Sequence, residues 1–549
     1  MTGPLNGTFA PNTGRWVVCS KSPYTGIWGE SNCGSWFGAE IKKAGYDGII
    51  ITGRSKEPVY LEVNDNEVQL KDAKIFWGRG TFYTTEKLKE IFGDKKAKIA
   101  CIGQAGENLV RYANIVSEQR AAGRTGMGAI LGSKKLKAIL VKGTKIKLEV
   151  SNQEELRKAI INARDYVKSS FASQVLGALG TSGALDMYNM TGELPIKYFS
   201  QPQWDGAAKI SGATMAETIL VTNRFCHSCV IGCGRRVAVK EGMYKTDEIE
   251  GPEYETIVSY GALNLNDNLE WIVHINKKCF DYGIDTISSG GIISCLTYHF
   301  EQGNITTDDI DGLKPEWGNT KFIEELLDKI VFKEGIGKIL AEGSNFLAKK
   351  FNISEEEIAS VNNLEVTYHD LRSNYGMALA YGIGSKGPSH NLLDAYYVLI
   401  GVPLEEIGIR NIDRYQDGEE MAEVCSLLMD YRALYSSMIM CSFCNPLPSQ
   451  NAELIQEATG IKFGLEEVKL YGERIANLKR LFNIKMGLTP KDDRLPRILT
   501  KPFNSGGSAG KSPDFEKLKN LFYNFRDWEL DTGKPSNKKL KQLGLDKLI

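Results

Sequence analysis

Short β-branched runs bounded by glycine, proline or asparagine occupy the first quarter of the chain and predict strands. They lie at residues 15–19, 47–52, 59–63 and 98–102. One helix, at residues 85–92, is predicted among them. We therefore expect a β-rich domain over residues 1–148.

Helical periodicity takes over downstream, with charged residues on one face of each predicted helix. The strongest predicted helices lie at residues 153–169, 270–282, 285–302, 321–351 and 515–528. The character of the chain changes near residues 147–151 and again near residue 360, so we expect two mainly helical domains, 149–359 and 360–549. The whole pattern predicts an α+β protein.

Composition excludes several classes of function. The chain has 67 Lys and Arg against 68 Asp and Glu, so its net charge near zero gives no electrostatic case for nucleic-acid binding. No stretch approaches the ~18 uninterrupted apolar residues of a membrane span. The N-terminus has neither the basic nor the apolar region of a signal peptide. The 11 cysteines are therefore expected in a reducing, cytoplasmic interior, where thiols bind metals or pack.

A cluster of three cysteines is the strongest chemical signal in the chain. Its members are spaced C-x2-C-x3-C, at Cys226, Cys229 and Cys233. Soft thiolates suit iron–sulfur clusters or zinc. A structural zinc site more typically uses paired C-x2-C motifs or paired histidines, and His227 has no second histidine at such spacing. The spacing therefore favours a [4Fe–4S] cluster over zinc or packed thiols.

A cubane cluster needs a fourth cysteine, which usually comes from a distant part of the sequence. The candidates are Cys441 and Cys444. The residues alone leave the choice between them open.

Three further features carry candidate chemistry. Glycines crowd residues 25–38 and 120–135, and the second stretch combines Gly123, Gly126 and Gly128 with arginines. Such a backbone fits either phosphate contact through its N–H groups or a tight loop. The carboxylates at 250–255 fit either catalysis or a solvated turn. His390, one of five histidines, follows a glycine-rich loop.

Taken together, these motifs resemble the aldehyde ferredoxin oxidoreductase family of tungsten-pterin enzymes along almost the whole chain. The markers are Ser22-Pro-Tyr-Thr-Gly26, Ala122-Gly-Arg-Thr-Gly-Met-Gly-Ala129, Gly132-Ser-Lys-Lys135, the cysteine triplet, Gly251-Pro-Glu-Tyr-Glu255, Gly283-Ile-Asp285 and Leu543-Gly-Leu-Asp546. The resemblance implies a β-rich cofactor-binding base clasped by two mainly helical domains. It also implies tungsten, or molybdenum, held by two pyranopterins whose phosphates are bridged by Mg²⁺.

The resemblance assigns residues to this cofactor. The main-chain carbonyls of Asn32 and Ala121 are expected to hold Mg²⁺, and three arginines to meet phosphates. Asp285 matches a pterin-contacting acid. The expected cofactor-binding residues are Arg15, Asn32, Arg120, Ala121, Gly123, Arg124, Gly126, Asp285 and Met440.

The resemblance also implies a reaction, the oxidation of a small aldehyde to a carboxylate. Electrons would pass through the cluster to ferredoxin or to an iron–sulfur electron-transfer subunit. Glu255 matches the family's proton-accepting glutamate, and His390 matches a histidine that donates a hydrogen bond to substrate. Cys441 matches the fourth cluster ligand, which leaves Cys444 as a packed thiol.

Several positions depart from the family pattern. Ser436 and Ile439 replace an aspartate and a glycine before Cys441, Phe280 replaces a polar residue, and Lys386 replaces an arginine. The chain also starts inside the family's first domain. We expect a separate chain to complete that domain, a misplaced start codon, or a remodelled pterin site.

Two other functions stay open. One is a catalytic subunit of an aromatic-ring reductase of the benzoyl-CoA type, working in a hetero-oligomer. The other is an electron-transfer subunit that keeps only the cluster. A homo-oligomer is equally compatible with the sequence.

Overall fold

A computed structural model describes residues 1–144, 148–396, 404–443 and 445–548. The strands are β1 (Arg15–Lys21), β2 (Trp28–Gly34), β3 (Val59–Asn64), β4 (Glu67–Asp72), β5 (Lys98–Cys101), β6 (Ile115–Ser117), β7 (Arg120–Ala122), β8 (Leu136–Lys142), β9 (Leu220–Arg224), β10 (Gly234–Val239), β11 (Thr246–Glu250), β12 (Ser360–Val361) and β13 (Leu364–Glu365).

The α-helices occupy most of the rest of the described chain. They are α1 (Phe37–Lys43), α2 (Thr81–Phe92), α3 (Gln104–Glu107), α4 (Met127–Ser133), α5 (Gln153–Ser169), α6 (Phe171–Leu179), α7 (Leu185–Thr191), α8 (Gly212–Thr218), α9 (Tyr254–Tyr260), α10 (Leu269–Tyr282), α11 (Thr286–Glu301), α12 (Thr320–Phe332), α13 (Gly337–Leu340), α14 (Ser344–Lys350), α15 (Gly376–Gly382), α16 (Glu419–Met438), α17 (Pro448–Thr459), α18 (Leu465–Lys485), α19 (Arg497–Thr500), α20 (Phe515–Phe525) and α21 (Asn537–Gln542).

A six-stranded mixed sheet forms the N-terminal part, in the order β4-β3-β8-β5-β6-β7. Strands β3 and β8 are parallel, and the other neighbours are antiparallel. The antiparallel hairpin β1–β2 forms a separate two-stranded sheet. Helix α1 buries Phe37 and Ile41 in a core that also contains Trp16 of β1 and Val63 of β3. This packing fixes the hairpin against the sheet.

Helix α11 is the centre of the helical part. Almost its whole length is buried, as expected for a helix surrounded by other elements. Its Gly290 lets α9 approach closely, because a Cβ there would lie 2.0 Å from the hydroxyl oxygen of Ser259. Further along the chain, α16 packs along both α18 and α20.

The predicted α+β class is confirmed, and most predicted elements are present. Residues 47–52 are the exception, since they form no strand. The predicted helical region 321–351 is divided into α12, α13 and α14. The sheet β11-β10-β9 was not predicted, because it is short and lies within a helical region. The domain limits at 148 and 359 stay predictions. Within the described residues, no helix is long and apolar enough to cross a bilayer.

The fold yields a prediction at a buried ion pair. Lys137 of β8 is fully buried, and its Nζ donates to Glu107 at 2.5 Å and to the Arg79 carbonyl at 2.7 Å. Lys137→Met leaves the Glu107 carboxylate without its cation, so we expect a loss of about 3–5 kcal/mol of stability. The measurement is the thermal unfolding midpoint under anoxia.

Lys158→Met is the matched control, because Lys158 pairs with Glu155 on the exposed surface of α5. Such pairs contribute only about 0–1 kcal/mol. An unchanged midpoint for Lys137→Met would contradict the role assigned to the buried pair.

Candidate active site

The cysteine triplet lies on the loop between β9 and β10, which are paired neighbours in one sheet. The loop is tightly turned, with positive φ at Ser228 and Gly232. Arg235 braces it by donating from Nε to the Cys233 carbonyl at 3.2 Å. The backbone N–H groups of Ile231 and Gly232 point at the Cys229 sulfur, at 3.4 and 3.5 Å. Hydrogen bonds to sulfur are one of the means by which proteins tune iron–sulfur clusters.

Cys441 comes to this loop from the other end of the chain. It lies three residues beyond the end of α16, and its N–H donates to the Asn12 carbonyl at 3.0 Å. Its sulfur accepts a hydrogen bond from Arg15 Nη1 at 3.2 Å. Cys441 interacts electrostatically with all three cysteines of the loop. The structure therefore brings the four predicted ligands together, whereas Cys444 lies outside the described residues.

The environment of the four thiols suits a cluster. Burial raises the pKa of the Cys226 thiol, and the charges of Arg120 and Arg15 oppose that rise. Three cysteines on one zinc would place their sulfurs about 3.8 Å apart. Among the described residues, no three cysteine sulfurs lie within 4.8 Å of one another. Each described cysteine is a free thiol, so disulfides do not compete for these ligands.

Arg15 connects the cluster cysteines to the β1–β2 hairpin. Its Nε donates to the side chain of Asn32, while Nη1 contacts Cys441. Asn32 lies on β2, which packs beside β7, the strand that carries Ala121. The predicted Mg²⁺ residues thus lie on neighbouring strands, and one of them, Asn32, contacts Arg15. Glycine is needed at 34 in this hairpin, because a Cβ there would lie 2.9 Å from the Cys226 sulfur.

Arg120 is paired with carboxylates. Its guanidinium lies 2.6 Å from Glu250 and also contacts Glu253. The cysteines Cys226 and Cys233 interact with the same guanidinium. Two of the three carboxylates at 250–255 therefore belong to an ion-pair network beside the cysteine loop. The predicted phosphate contact of Arg120 stays a prediction.

The second glycine-rich loop has a strained backbone. Arg124, Thr125 and Gly126 all have positive φ, of 67°, 53° and 76°, a region that residues other than glycine rarely adopt. Hydroxyl groups of Ser31 and Ser22 hold it by donating to the carbonyls of Arg124 and Thr125, each at 2.9 Å. A Cβ at Gly126 would lie 1.9 Å from the Arg111 carbonyl oxygen. This loop therefore requires its glycine.

The Arg124 guanidinium reaches across the molecule. It donates to the carbonyls of Glu365 and Pro388, and lies 3.5 Å from the Asp285 carboxylate. Asp285 also caps α11 by accepting from the Ser288 N–H. The structure thus places Arg124 and Asp285 together, while Met440 is buried beside Cys441.

Unsatisfied donors mark where an anion would fit. The buried Nε atoms of Arg120 and Arg124 have no hydrogen-bond partner among the described residues. Leaving a buried donor unpaired costs about 1–3 kcal/mol. Gly123 lies beside the Asn114 amide, whose oxygen is likewise unpartnered among those residues. Oxygen-rich phosphate groups and a polar pterin edge would fit these groups.

Glu255 and His390 meet although 135 positions separate them. His390 Nδ1 lies 3.2 Å from Glu255 Oε1, and the Tyr368 N–H donates to the same carboxylate at 3.1 Å. Burial raises the pKa of Glu255 to about 7, against the opposing effect of His369 and Arg124. Burial, together with His369, Lys386 and Arg124, holds the pKa of His390 well below its usual value. At neutral pH, the site thus combines a neutral imidazole with a carboxyl group close to its midpoint.

His369 is a member of this site that sequence reasoning missed. A carboxylate oxygen of Glu255, a ring nitrogen of His369 and a ring nitrogen of His390 all lie within 4.8 Å of one another. The only signal in the sequence was a histidine, next to Tyr368, that lies shortly before the glycine-rich loop of His390. A single histidine has no sequence periodicity to indicate where it points.

The cysteine geometry predicts the effect of removing one ligand. Cys441→Ala should reduce the iron content and abolish the signal of the reduced cluster in electron paramagnetic resonance, because three ligands remain for four irons. Iron analysis and spectroscopy under anoxia measure both.

Cys425→Ala is the control, because Cys425 is a buried thiol packed on α16. Its iron content should match that of the wild type. If Cys444→Ala loses the cluster and Cys441→Ala keeps it, the assignment of the fourth ligand is wrong.

Comparison with known proteins identifies the family. The model of the aldehyde ferredoxin oxidoreductase N-terminal domain matches residues 1–143, and that of domains 2 and 3 matches residues 158–545. A tungsten-containing aldehyde ferredoxin oxidoreductase of Pyrococcus abyssi is 37% identical over 100% of this chain and 90% of its own. An aliphatic sulfonate oxidoreductase, WOR-like subunit, of Pyrococcus furiosus is 30% identical over 99% of this chain and 87% of its own.

A solved structure agrees with these matches. It is the active site complex BamBC of benzoyl coenzyme A reductase with 1,5-dienoyl-CoA. The TM-score is 0.84 at 25% sequence identity, covering 100% of this chain and 88% of the other. The predicted resemblance is confirmed: the chain belongs to the aldehyde ferredoxin oxidoreductase family.

Proposed function

We propose that this protein oxidises aldehydes to carboxylic acids at a tungsten-pterin centre and passes the electrons through a [4Fe–4S] cluster to ferredoxin. The observation that carries the proposal is the contact of Glu255 with His390 in a buried site, on a chain whose Cys441 comes to the loop of the other three cysteines. The full-length relatives named as tungsten-containing aldehyde ferredoxin oxidoreductases support it.

The residues present fit the proposed cofactors. Cys226, Cys229, Cys233 and Cys441 would hold the cluster. Asn32, Ala121 and the unsatisfied nitrogens of Arg120 and Arg124 would hold the bis-pterin, with Mg²⁺ at its phosphates. When bound, these groups supply two-electron redox chemistry at the metal and one-electron transfer through the cluster.

The protein's own residues handle protons and orientation. Oxidation of an aldehyde with water gives a carboxylic acid, two electrons and two protons. Glu255, with its pKa about 7, is suited to accept a proton from the attacking water near neutral pH. Neutral His390 is suited to donate a hydrogen bond to the substrate oxygen, where negative charge develops. Burial of both groups excludes bulk water and strengthens these interactions.

Arg15 connects the two cofactor sites. It contacts Cys441 on one side and Asn32 on the other, so it would lie between the cluster and the pterin. A buried guanidinium there favours the negative charge of thiolates and phosphates. We propose that it stabilises both cofactors in place. A ferredoxin, or an iron–sulfur subunit, would receive the electrons on the side of the half-exposed cysteine loop.

A second candidate function is reduction of an aromatic ring attached to coenzyme A. The structural similarity to the benzoyl coenzyme A reductase complex favours it. The two candidates are separated by anaerobic assays of the purified protein with an aldehyde panel and with benzoyl-CoA. A protein that carries iron but neither tungsten, molybdenum nor pterin would contradict both and indicate an electron-transfer subunit.

The mechanism predicts the effect of Glu255→Gln. The amide keeps the shape and removes the base, so turnover of aldehydes should fall by ~10²–10⁴-fold. The KM should change much less, because proton transfer belongs to the transition state. In the wild type, turnover should rise as the pH increases through about 7 and Glu255 ionises; the variant should lack this rise. Viologen reduction under anoxia measures both effects.

Iron and tungsten contents are the controls and should match those of the wild type, since Glu255 is proposed as a ligand to neither. Full aldehyde turnover in the Glu255→Gln variant would remove this residue from the mechanism.

A further inference from the structure

A buried carboxylate–imidazole pair lies beside the proposed active site. Glu193 and His369 are 2% and 4% exposed, and Glu193 Oε1 lies 2.8 Å from His369 Nδ1. Glu193 follows the end of α7, whereas His369 lies 176 positions later. Burying ionisable groups is costly unless each finds its partners. Arg414 is a further partner of Glu193, because its guanidinium lies 3.2 Å from the second carboxylate oxygen of Glu193.

Aromatic rings fix the orientation of His369. The Tyr396 ring stacks on it at a centroid distance of 4.6 Å and an interplanar angle of 5°. The Tyr254 ring lies 5.1 Å away at an angle of 32°. With Nδ1 engaged by Glu193, the ring has little rotational freedom. The imidazole is thus locked by one ion pair and by the rings that pack against it.

The locked ring is directed at the two residues proposed to act on the aldehyde. The centroid of the His369 ring lies 5.1 Å from that of His390. One of its ring nitrogens lies within 4.8 Å of a carboxylate oxygen of Glu255 and of a ring nitrogen of His390. Neither Glu193 nor Arg414 belongs to this cluster of Glu255, His369 and His390. The ion pair therefore reaches the site through His369.

The charges around Glu255 show what His369 contributes. Burial favours the neutral acid, whereas His369, Arg124 and the Tyr368 N–H favour the carboxylate, and Asp285 opposes them. His390 lies 3.2 Å from Glu255, and His369, Lys386 and Arg124 add to the effect of burial in lowering its pKa. His369 affects both Glu255 and His390, and it is itself paired with the buried carboxylate of Glu193. The Glu193 carboxylate lies 2.8 Å from His369, and His369 in turn favours the ionised form of Glu255.

We infer that His369, anchored by Glu193, is a positioning residue that favours the ionised form of Glu255, the form that accepts a proton. The inference rests on the proposed function for the reaction that it serves. The geometric part, the coupling of Glu193 to Glu255 through His369, holds for any substrate.

The test is an infrared titration of the Glu255 carboxyl group in anaerobically purified holoenzyme. The carboxyl signal is assigned by its loss in Glu255→Gln. His369→Gln keeps a polar side chain and removes the imidazole that favours ionised Glu255, so the midpoint should rise by about one pH unit. Glu193→Gln should raise it in the same direction by a smaller amount, and Glu193→Asp should return it toward the wild-type value. If His369→Gln loses its metals, Glu193→Gln decides the test.

His274→Gln is the matched control, because His274 lies 3.1 Å from Glu324 in a more exposed ion pair. Its midpoint for Glu255 should equal that of the wild type. A wild-type midpoint in Glu193→Gln, or an equal rise in the His274 control, would overturn the inference.

Kinetics provide a second readout. The rise of kcat/KM with pH should move to higher pH in His369→Gln by the same amount as the infrared midpoint, with KM nearly unchanged at high pH. A uniform loss of rate at every pH would indicate a merely structural role and overturn the inference. If the wild type oxidises no aldehyde, the proposed function fails, whereas the infrared titration still decides the coupling.

Discussion

The placement of buried positive charge against buried acids and thiols is the constraint on which this structure depends. Arg15 and Arg120 face the cysteines, and Arg124 and His369 face Glu255. Burial favours the neutral forms of these thiols and of Glu255, and these partners oppose that effect. A metal cluster needs thiolates, and a general base needs a carboxylate. The arginines and His369 therefore favour the forms that both chemistries need, against the effect of burial.

The fold brings these charges together by joining distant segments at a few rigid points. The β1–β2 hairpin carries Arg15, the loop after β9 carries three cysteines, and the end of α16 carries the fourth. Close approach needs glycine at position 34, and the strained turn at 124–126 directs Arg124 toward Asp285. Strain of this kind clusters at functional sites, where the surrounding structure stabilises it. Here two serine hydroxyls provide that support.

The sequence predicted the elements whose pattern is local. Helix α5 has the bounds that its periodicity indicates, and β1, β3 and β5 lie where β-branched runs occur. Residues 47–52 have the composition of a strand but do not pair with one, because pairing depends on neighbours that composition does not specify. The sheet of β9, β10 and β11 was not predicted, although its strands do pair. It pairs three short strands whose own patterns are weak.

The site was predictable only in part. The spacing of Cys226, Cys229 and Cys233 indicates shared chemistry, but the residues alone did not choose the fourth cysteine, and the pairing of Glu255 with His390 came from the family resemblance. His369 and Glu193 show the limit clearly. Neither belongs to a motif that the sequence pattern marks, and their contact spans 176 positions. Only the packing of α7 and the segment before α15 shows that they form one buried pair.

The most direct measurement is anomalous diffraction from crystals grown under anoxia, recorded at the iron and tungsten absorption edges. We predict four irons bound by Cys226, Cys229, Cys233 and Cys441. We also predict one tungsten beside Glu255 and His390, with Arg15 between the two centres. Zinc at the cysteines, or a heavy metal remote from Glu255, would contradict the account.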